Sequence, residues 1–234
     1  MQQRRGTSLT EDAFRRTTTL TFDCYGTLID WSAGLWRSFA KIFGPSVAER
    51  KQEWFDAYVR TEAEIESGPY RPYREILALV TTRLAKQFNL PLPPDHSARL
   101  AEMLPRWAPF PDTKDALARL KKKFRLGVLS NIDKDLFADT ARQLGVPFDF
   151  IVTAEDVRSY KPALGHFHCL RDKHGGLDSA LHVAQSLYHD GVPANELGLA
   201  FVWINRYKEP NRTGVRPLAE FPDLRSFADA ACCD

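Results

Sequence analysis

Charge of one sign is what this sequence has least of. Its 32 lysines and arginines stand against 30 aspartates and glutamates, a net of +2 over 234 residues, too small an excess to argue for nucleic acid or a membrane surface as a partner. The one short basic run, Lys121 to Lys123, falls where the amphipathic segment DTKDALARLKKK should end, and cations there complement a helix dipole. Long apolar runs are missing from the N-terminus, which carries charges and nothing hydrophobic enough before Leu20. Neither a signal peptide nor a membrane span is expected, and a cytoplasmic protein is. Cysteine is scarce as well. Cys24, Cys169, Cys232 and Cys233 fit no zinc spacing, and adjacent cysteines bridge each other poorly, so reduced thiols are expected.

What is present is an ordinary globular composition, 44% hydrophobic and 26% charged, on a chain long enough for a core with a smaller second lobe. Residues 1–18 are polar and aperiodic and read as a flexible N-terminal arm. Five short hydrophobic runs follow: TLTFDCY (19–25), FRLGVLS (124–130), FDFIVTA (148–154), ALHVAQ (180–185) and LAFVWI (199–204). The last four alternate with helical patterns, DLFADTARQLG, ALGHFHCLRDKHG and the segment around VPANELG. Unbroken apolar strands alternating with helices predict an α/β fold with a parallel sheet covered on both faces. The segment between the first two strands is far longer than a crossover needs. SAGLWRSFAKIFG, VAERKQEWFDAYVRTEAEIES and YREILALVTTRLAKQF carry apolar residues at spacings of three and four, so 33–107 reads as an inserted helical cap, with 19–32 and 108–234 forming the core. Trp36, Phe39, Trp54, Phe55 and Tyr58 are expected to pack the cap helices rather than touch a ligand, and such an aromatic cap would supply a surface for a homodimer.

Ligands in parallel sheets bind beyond the carboxyl ends of the strands. Those ends bring together Asp23, Ser130 with Asn131, Lys161, Gln185 with Ser186, and Asp190. A carboxylate closing a hydrophobic strand is costly unless it is paired or reactive. Lys161 beside Asp23 would lower the carboxyl pKa and keep it ionised as a nucleophile. Ser130, Asn131 and the backbone amides of the GTL turn would give donors to an anionic group. The bland alternative is a structural ion pair surrounded by turn and cap residues. Cys24 beside Asp23 is no candidate, because strand alternation points it to the other side.

Four segments, FDCYGTLIDW, LGVLSNID, SYKPALGHF and HVAQSLYHD…VWINR, resemble the four motifs of the haloacid dehalogenase superfamily, most closely those of the type II (S)-2-haloacid dehalogenases. The resemblance spans nearly all of residues 19–206 and implies a Rossmann-like core with a helical cap. It implies Asp23 as nucleophile, with Lys161 and Asp190 completing the catalytic set, and Tyr25, Thr27, Ser130, Asn131 and Ser186 as the substrate-binding set.

Phosphatase members of that superfamily carry a second aspartate two places after the nucleophile, where this chain has Tyr25, and an acidic pair for magnesium whose first member is here Gln185. A phenol is a poor acid at neutral pH, and losing a charge weakens a hard-cation site. Displacement of halide from carbon requires neither, since the leaving group needs no proton. The expected activity is therefore hydrolytic dehalogenation of short 2-haloalkanoic acids through an aspartyl ester, with no metal and no cofactor. Asn131 would face the departing halide, and Asp190, with Lys161, would position or deprotonate the hydrolytic water. The alternatives are a phosphatase acting on a small phosphate ester and a catalytically idle homologue that binds a metabolite. Family members place a cap arginine on the halide, and Arg37, Arg50, Arg60, Arg71 and Arg74 all stand as candidates. They also carry a tyrosine where this chain has Phe167. His166 and His168 point about 200° apart on a helix and cannot share a metal. His182 reads as a core or edge residue, and His189 stands beside Asp190 where it would tune the water.

Overall fold

The computed structural model describes residues 9–233. Six strands, β1 (Thr19–Phe22), β2 (Arg125–Ser130), β3 (Phe150–Thr153), β4 (Ala180–Ala184), β5 (Ala200–Ile204) and β6 (Ala219–Phe221), form one parallel sheet in the order β3-β2-β1-β4-β5-β6. Both faces are covered, which is why β1, β2, β4 and β5 are buried along nearly their whole length and are largely apolar. Leu20, Phe22, Val128, Val183 and Val202 belong to one buried cluster, and Leu129, Val152, Ala184, Phe201 and Trp203 to the other. The chain leaves β1 toward β2 on one side and returns to β4 on the other, so the strand order reverses at β1. Crevices open at such reversals, beyond the carboxyl ends of the strands. Asp23 stands one residue past the end of β1.

The helices are α1 (Leu9–Arg16), α2 (Trp31–Phe43), α3 (Lys51–Glu66), α4 (Tyr73–Gln87), α5 (Arg99–Met103), α6 (Thr113–Leu120), α7 (Lys134–Leu144), α8 (Ala154–Val157), α9 (Gly165–Lys173), α10 (Val192–Glu196) and α11 (Leu224–Cys232). Two elements differ from expectation. The expected arm is helical from Leu9, and Phe14 packs edge-on against Phe227 of α11 with ring centroids 6.0 Å apart; a single buried aromatic is too little signal in a polar segment. Residues 1–8 of that arm lie outside the described residues. The strand β6 is three residues long and half exposed, so it lacks the apolar run that marks the others. Lys121 ends α6 as expected, its Nζ 2.6 Å from Asp149. Among the described residues no helix is long and apolar enough to cross a membrane.

From α2 to α5 the inserted segment is helical. Its entry and exit pair with each other: the Asp30 amide donates to the Ala108 carbonyl at 2.9 Å and that of Phe110 to Leu28 at 3.1 Å. Trp54 stacks on Phe88 with centroids 4.0 Å apart and meets Phe39 at 5.4 Å. The first amides of α4 lack partners within the helix, and a core residue supplies them. Asp133 accepts from Tyr73 N at 2.7 Å and Arg74 N at 2.9 Å, while Tyr160 donates its hydroxyl to the Arg71 carbonyl at 2.7 Å.

Candidate active site

The turn after β1 aims Asp23. Gly26 adopts φ +101°, a region L side chains rarely enter, and a Cβ there would meet the Trp31 indole at 3.1 Å. The amides of Gly26 and Leu28 donate inside the turn, to Ile29 O at 2.9 Å and Cys24 O at 2.8 Å, so they are not offered to an anion as the sequence suggested. Thr27, expected to hold substrate, is fully buried and engaged with the carboxylate instead. Its hydroxyl donates to Asp23 Oδ2 at 2.8 Å and accepts from the Gln185 amide at 2.9 Å.

The Lys161 ammonium is 2% exposed and spends its three donors on Asp23 Oδ1 at 3.0 Å, Asp190 Oδ1 at 2.6 Å and the Leu129 carbonyl at 2.8 Å. Asn131 fixes the lysine's backbone: it accepts from Lys161 N at 2.7 Å and donates to Lys161 O at 3.1 Å. That clamp is its observed work, in place of the free amide expected to face a halide. Asp190 sits in a π-turn over Leu187–Gly191, a bulge often found at functional sites. Its Oδ1 also lies 2.9 Å from His182 Nε2. A carboxylate only accepts, so Nε2 carries the proton, and His182 Nδ1 accepts from the Thr21 hydroxyl at 2.9 Å. Phe167 is buried edge-on to the His182 ring at 5.4 Å.

Burial raises the Asp23 carboxyl above the ordinary 3.8, with Asp190 adding to the rise and Lys161 and Thr27 opposing it. The sequence argument anticipated a lowered value. The physical reason is the partition of one ammonium between two carboxylates: Asp190, nearer to Lys161 and bonded to His182, falls well below the usual range in spite of its burial. Lys161 is raised, since the two carboxylates outweigh its own desolvation. Burial lowers His189, whose ring lies 3.1 Å from the Ser186 hydroxyl, and leaves it neutral. Burial also pushes the Cys24 thiol well up, which suits an inert core residue.

These groups face a cavity of about 410 Å³ whose wall includes Asp23, Tyr25, Ser130, Asn131, Lys161, Ser186 and Asp190. Of the expected site residues, Thr27 alone stands behind the wall. Among the described residues, two buried atoms on the wall have no hydrogen-bond partner, Ser130 Oγ and Asp190 Oδ2. Tyr25 presents its ring, while its hydroxyl is turned onto Thr140 at 2.8 Å. Phe55 and Tyr58 line the cavity as well as packing the cap. None of the five candidate cap arginines lines it; the arginine on its wall is Arg212, in the loop after β5. Sequence reasoning missed Arg212, His182's bond to Asp190, and the cap carboxylates Glu62 and Glu66. The last two lie on successive turns of one helix, a spacing visible in the sequence but not distinguishable there from a solvated face.

Comparison with known proteins places the chain in a family. The pattern of the haloacid dehalogenase-like hydrolases matches residues 17–175. Haloacetate dehalogenase H-2 of Moraxella sp. (strain B) is 28% identical over 196 residues, covering 80% of this chain and 85% of its own. An (S)-2-haloacid dehalogenase of Pseudomonas putida is 30% identical over 193 residues, covering 80% and 84%. The solved structure of the L-2-haloacid dehalogenase from Xanthobacter autotrophicus superposes with a TM-score of 0.80 at 18% identity over 91% of this chain and 97% of its own, a likeness of fold. The chain belongs to the haloacid dehalogenase-like hydrolases.

Proposed function

We propose that this protein hydrolyses the carbon–halogen bond of short 2-haloalkanoates through an ester on Asp23, without a metal ion. The observation that carries the reading is the Lys161 ammonium held between Asp23 and Asp190 while Thr27 fixes the other Asp23 oxygen. An ionised carboxylate so aimed attacks the halogen-bearing carbon in line, the carbon–halogen pair leaves with the halide, and an ester forms. The Ser130 hydroxyl, buried and unpartnered on the cavity wall, is the donor for the substrate carboxylate, with Tyr25 and Ser186 bounding the space. Water then adds to the acyl carbon of Asp23, the ester bond breaks, and a 2-hydroxyalkanoate departs. Asp190 Oδ2 orients that water. Held below the usual carboxylate range, Asp190 is a weak base; neutral His189 on the same wall is the stronger acceptor of the proton.

The names of the relatives support this chemistry over phosphoryl transfer, and so do two positions. The Tyr25 hydroxyl is bound to Thr140 and burial raises it well above an ordinary phenol, so it is a poor proton donor to a leaving oxygen. Gln185 brings no charge for a cation, and its amide donates to Glu209 at 2.9 Å. Parallel assays of chloroacetate and an aryl phosphate, each with magnesium and with chelator, test the reading. Halide release that persists in chelator is expected; magnesium-dependent phosphate release without dehalogenation would overturn it, and inactivity on both would favour a metabolite binder.

A further inference from the structure

The cap wall of the cavity carries two carboxylates among its aromatic rings. Glu62 and Glu66 of α3 face the same space as Asp23, Asp190 and Glu209, against the cations Lys161 and Arg212. Lys161 is already shared by Asp23 and Asp190, and Arg212 is exposed. Among the described residues neither Glu62 nor Glu66 has an ion-pair partner: Arg50 pairs with Glu53, Arg74 with Asp135 and Arg83 with Glu64. Glu62 is held instead by two phenols, Tyr58 and Tyr73, whose hydroxyls donate to its Oε1 at 2.6 and 2.7 Å. Burial raises both carboxyls, and the charge of Glu62 raises Glu66 further, with Lys161 opposing the rise only in part. Partly desolvated carboxylates without a cation are costly, and a cationic ligand supplies what is missing.

Two further features of the cavity bear on the size and placement of its ligand. Its volume of about 410 Å³ falls among pockets that take ligands of many heavy atoms, roughly 300–1,000 Å³. Ser130 Oγ and Asp190 Oδ2, buried on the same wall without partners, take the substrate carboxylate and the hydrolytic water, so the reacting end of the ligand shares one cavity with Glu62 and Glu66. Trp31, Phe55 and Tyr58 complete the cap side, and aromatic faces attract alkylammonium groups.

We propose that the substrate carries a protonated amine as well as a carboxylate and a halogenated carbon, and that the ammonium seats against Glu62 and Glu66. The proposal rests on the dehalogenation reading for the reacting end and adds an ammonium subsite at the cap end. Its test compares halide release from 2-chloro-4-aminobutanoate, 2-chloro-5-aminopentanoate and 2-chloro-6-aminohexanoate with that from the uncharged 2-chloroalkanoates of equal chain length. At least one amine is expected to exceed its uncharged counterpart tenfold or more in kcat/KM, and Glu66→Gln to bring that ratio toward one. A second measurement needs no turnover: 4-amino-, 5-amino- and 6-aminoalkanoates, with the corresponding alkanoates, titrated against the fluorescence of Trp31 and Trp107 on the cavity wall. The amines should bind at least tenfold more tightly. Halide release without preference for the amine, together with equal binding of the uncharged acids, would overturn the ammonium subsite alone. Tighter binding of the amines with no halide released from any chloroacid would leave the subsite standing and remove the dehalogenation reading.

Discussion

Lys161 Nζ lies 2.6 Å from Asp190 Oδ1, nearer than the 3.0 Å that separates it from Asp23. The ammonium thus holds Asp190 strongly ionised and leaves Asp23 the less compensated of the two. Lys161→Met would strand two desolvated carboxylates, and breaking a buried pair costs about 3–5 kcal/mol. The sign with pH follows from Asp190: its depressed folded pKa gives stability that is present above the unfolded value and lost as pH falls through the folded one. Without Lys161 that contribution disappears. Denaturant unfolding should show the variant's deficit largest near neutral pH and smaller in acid, where protonation relieves the stranded charges. A deficit independent of pH would contradict this.

Asp23 must be ionised to attack, and its carboxyl is raised above 3.8. The acid limb of kcat/KM should therefore lie above that of an ordinary aspartate, with rate gained as pH rises through it. A pH profile on a single 2-chloroalkanoate whose limb falls at or below 3.8, the ordinary value, would contradict the assignment.

Thr27 touches the carboxylate and the β4 end but not the cavity. Thr27→Val keeps the shape and removes both bonds. A hydrogen bond to a charged group contributes about 1.5–3 kcal/mol, so kcat should fall roughly 10- to 100-fold, with KM little changed because no substrate contact is lost. A rise in KM at constant kcat would return Thr27 to substrate binding.

His182 acts through Asp190 Oδ1. His182→Leu should loosen the group that orients the hydrolytic water and slow the second step more than the first. Rapid mixing would then show a burst of halide, and mass spectrometry an ester-sized addition on Asp23. Equal slowing of both steps, with no accumulated ester, would mark His182 as structural only.

Much of this was legible in the sequence, for identifiable reasons. The four central strands are buried, so their largely apolar runs stand out; Asp23 and Ser130 stand at the ends of such runs, Asp190 follows in the turn after β4, and Lys161 comes after β3 and the short α8. Asp23, Ser130, Lys161 and Asp190 converge because parallel strands deliver their ends to one edge. Other features carry no local signal. Three residues at β6, half exposed and with Glu220 at their centre, do not announce a strand, and Phe14 is a lone buried ring in a charged segment. Sequence cannot tell a donor facing the cavity from one turned onto Asp23 or the Lys161 backbone, as those of Thr27 and Asn131 are. Lowering of Asp23 was inferred from its cation alone; the second carboxylate competing for that cation reverses the direction. The cap's contribution is the least visible. None of its five candidate arginines lines the cavity, Arg50 and Arg74 pairing elsewhere, and its carboxylates reach it only through the tertiary arrangement of α3 over the strand ends.

The most direct test is a single turnover in heavy-oxygen water with enzyme in excess of a 2-chloroalkanoate. The account predicts one heavy oxygen in the peptide containing Asp23 and none in the hydroxyl of the product, because water attacks the ester's acyl carbon. Label in the product hydroxyl with Asp23 unlabelled would mean that water displaces the halide itself, and the covalent account would fail.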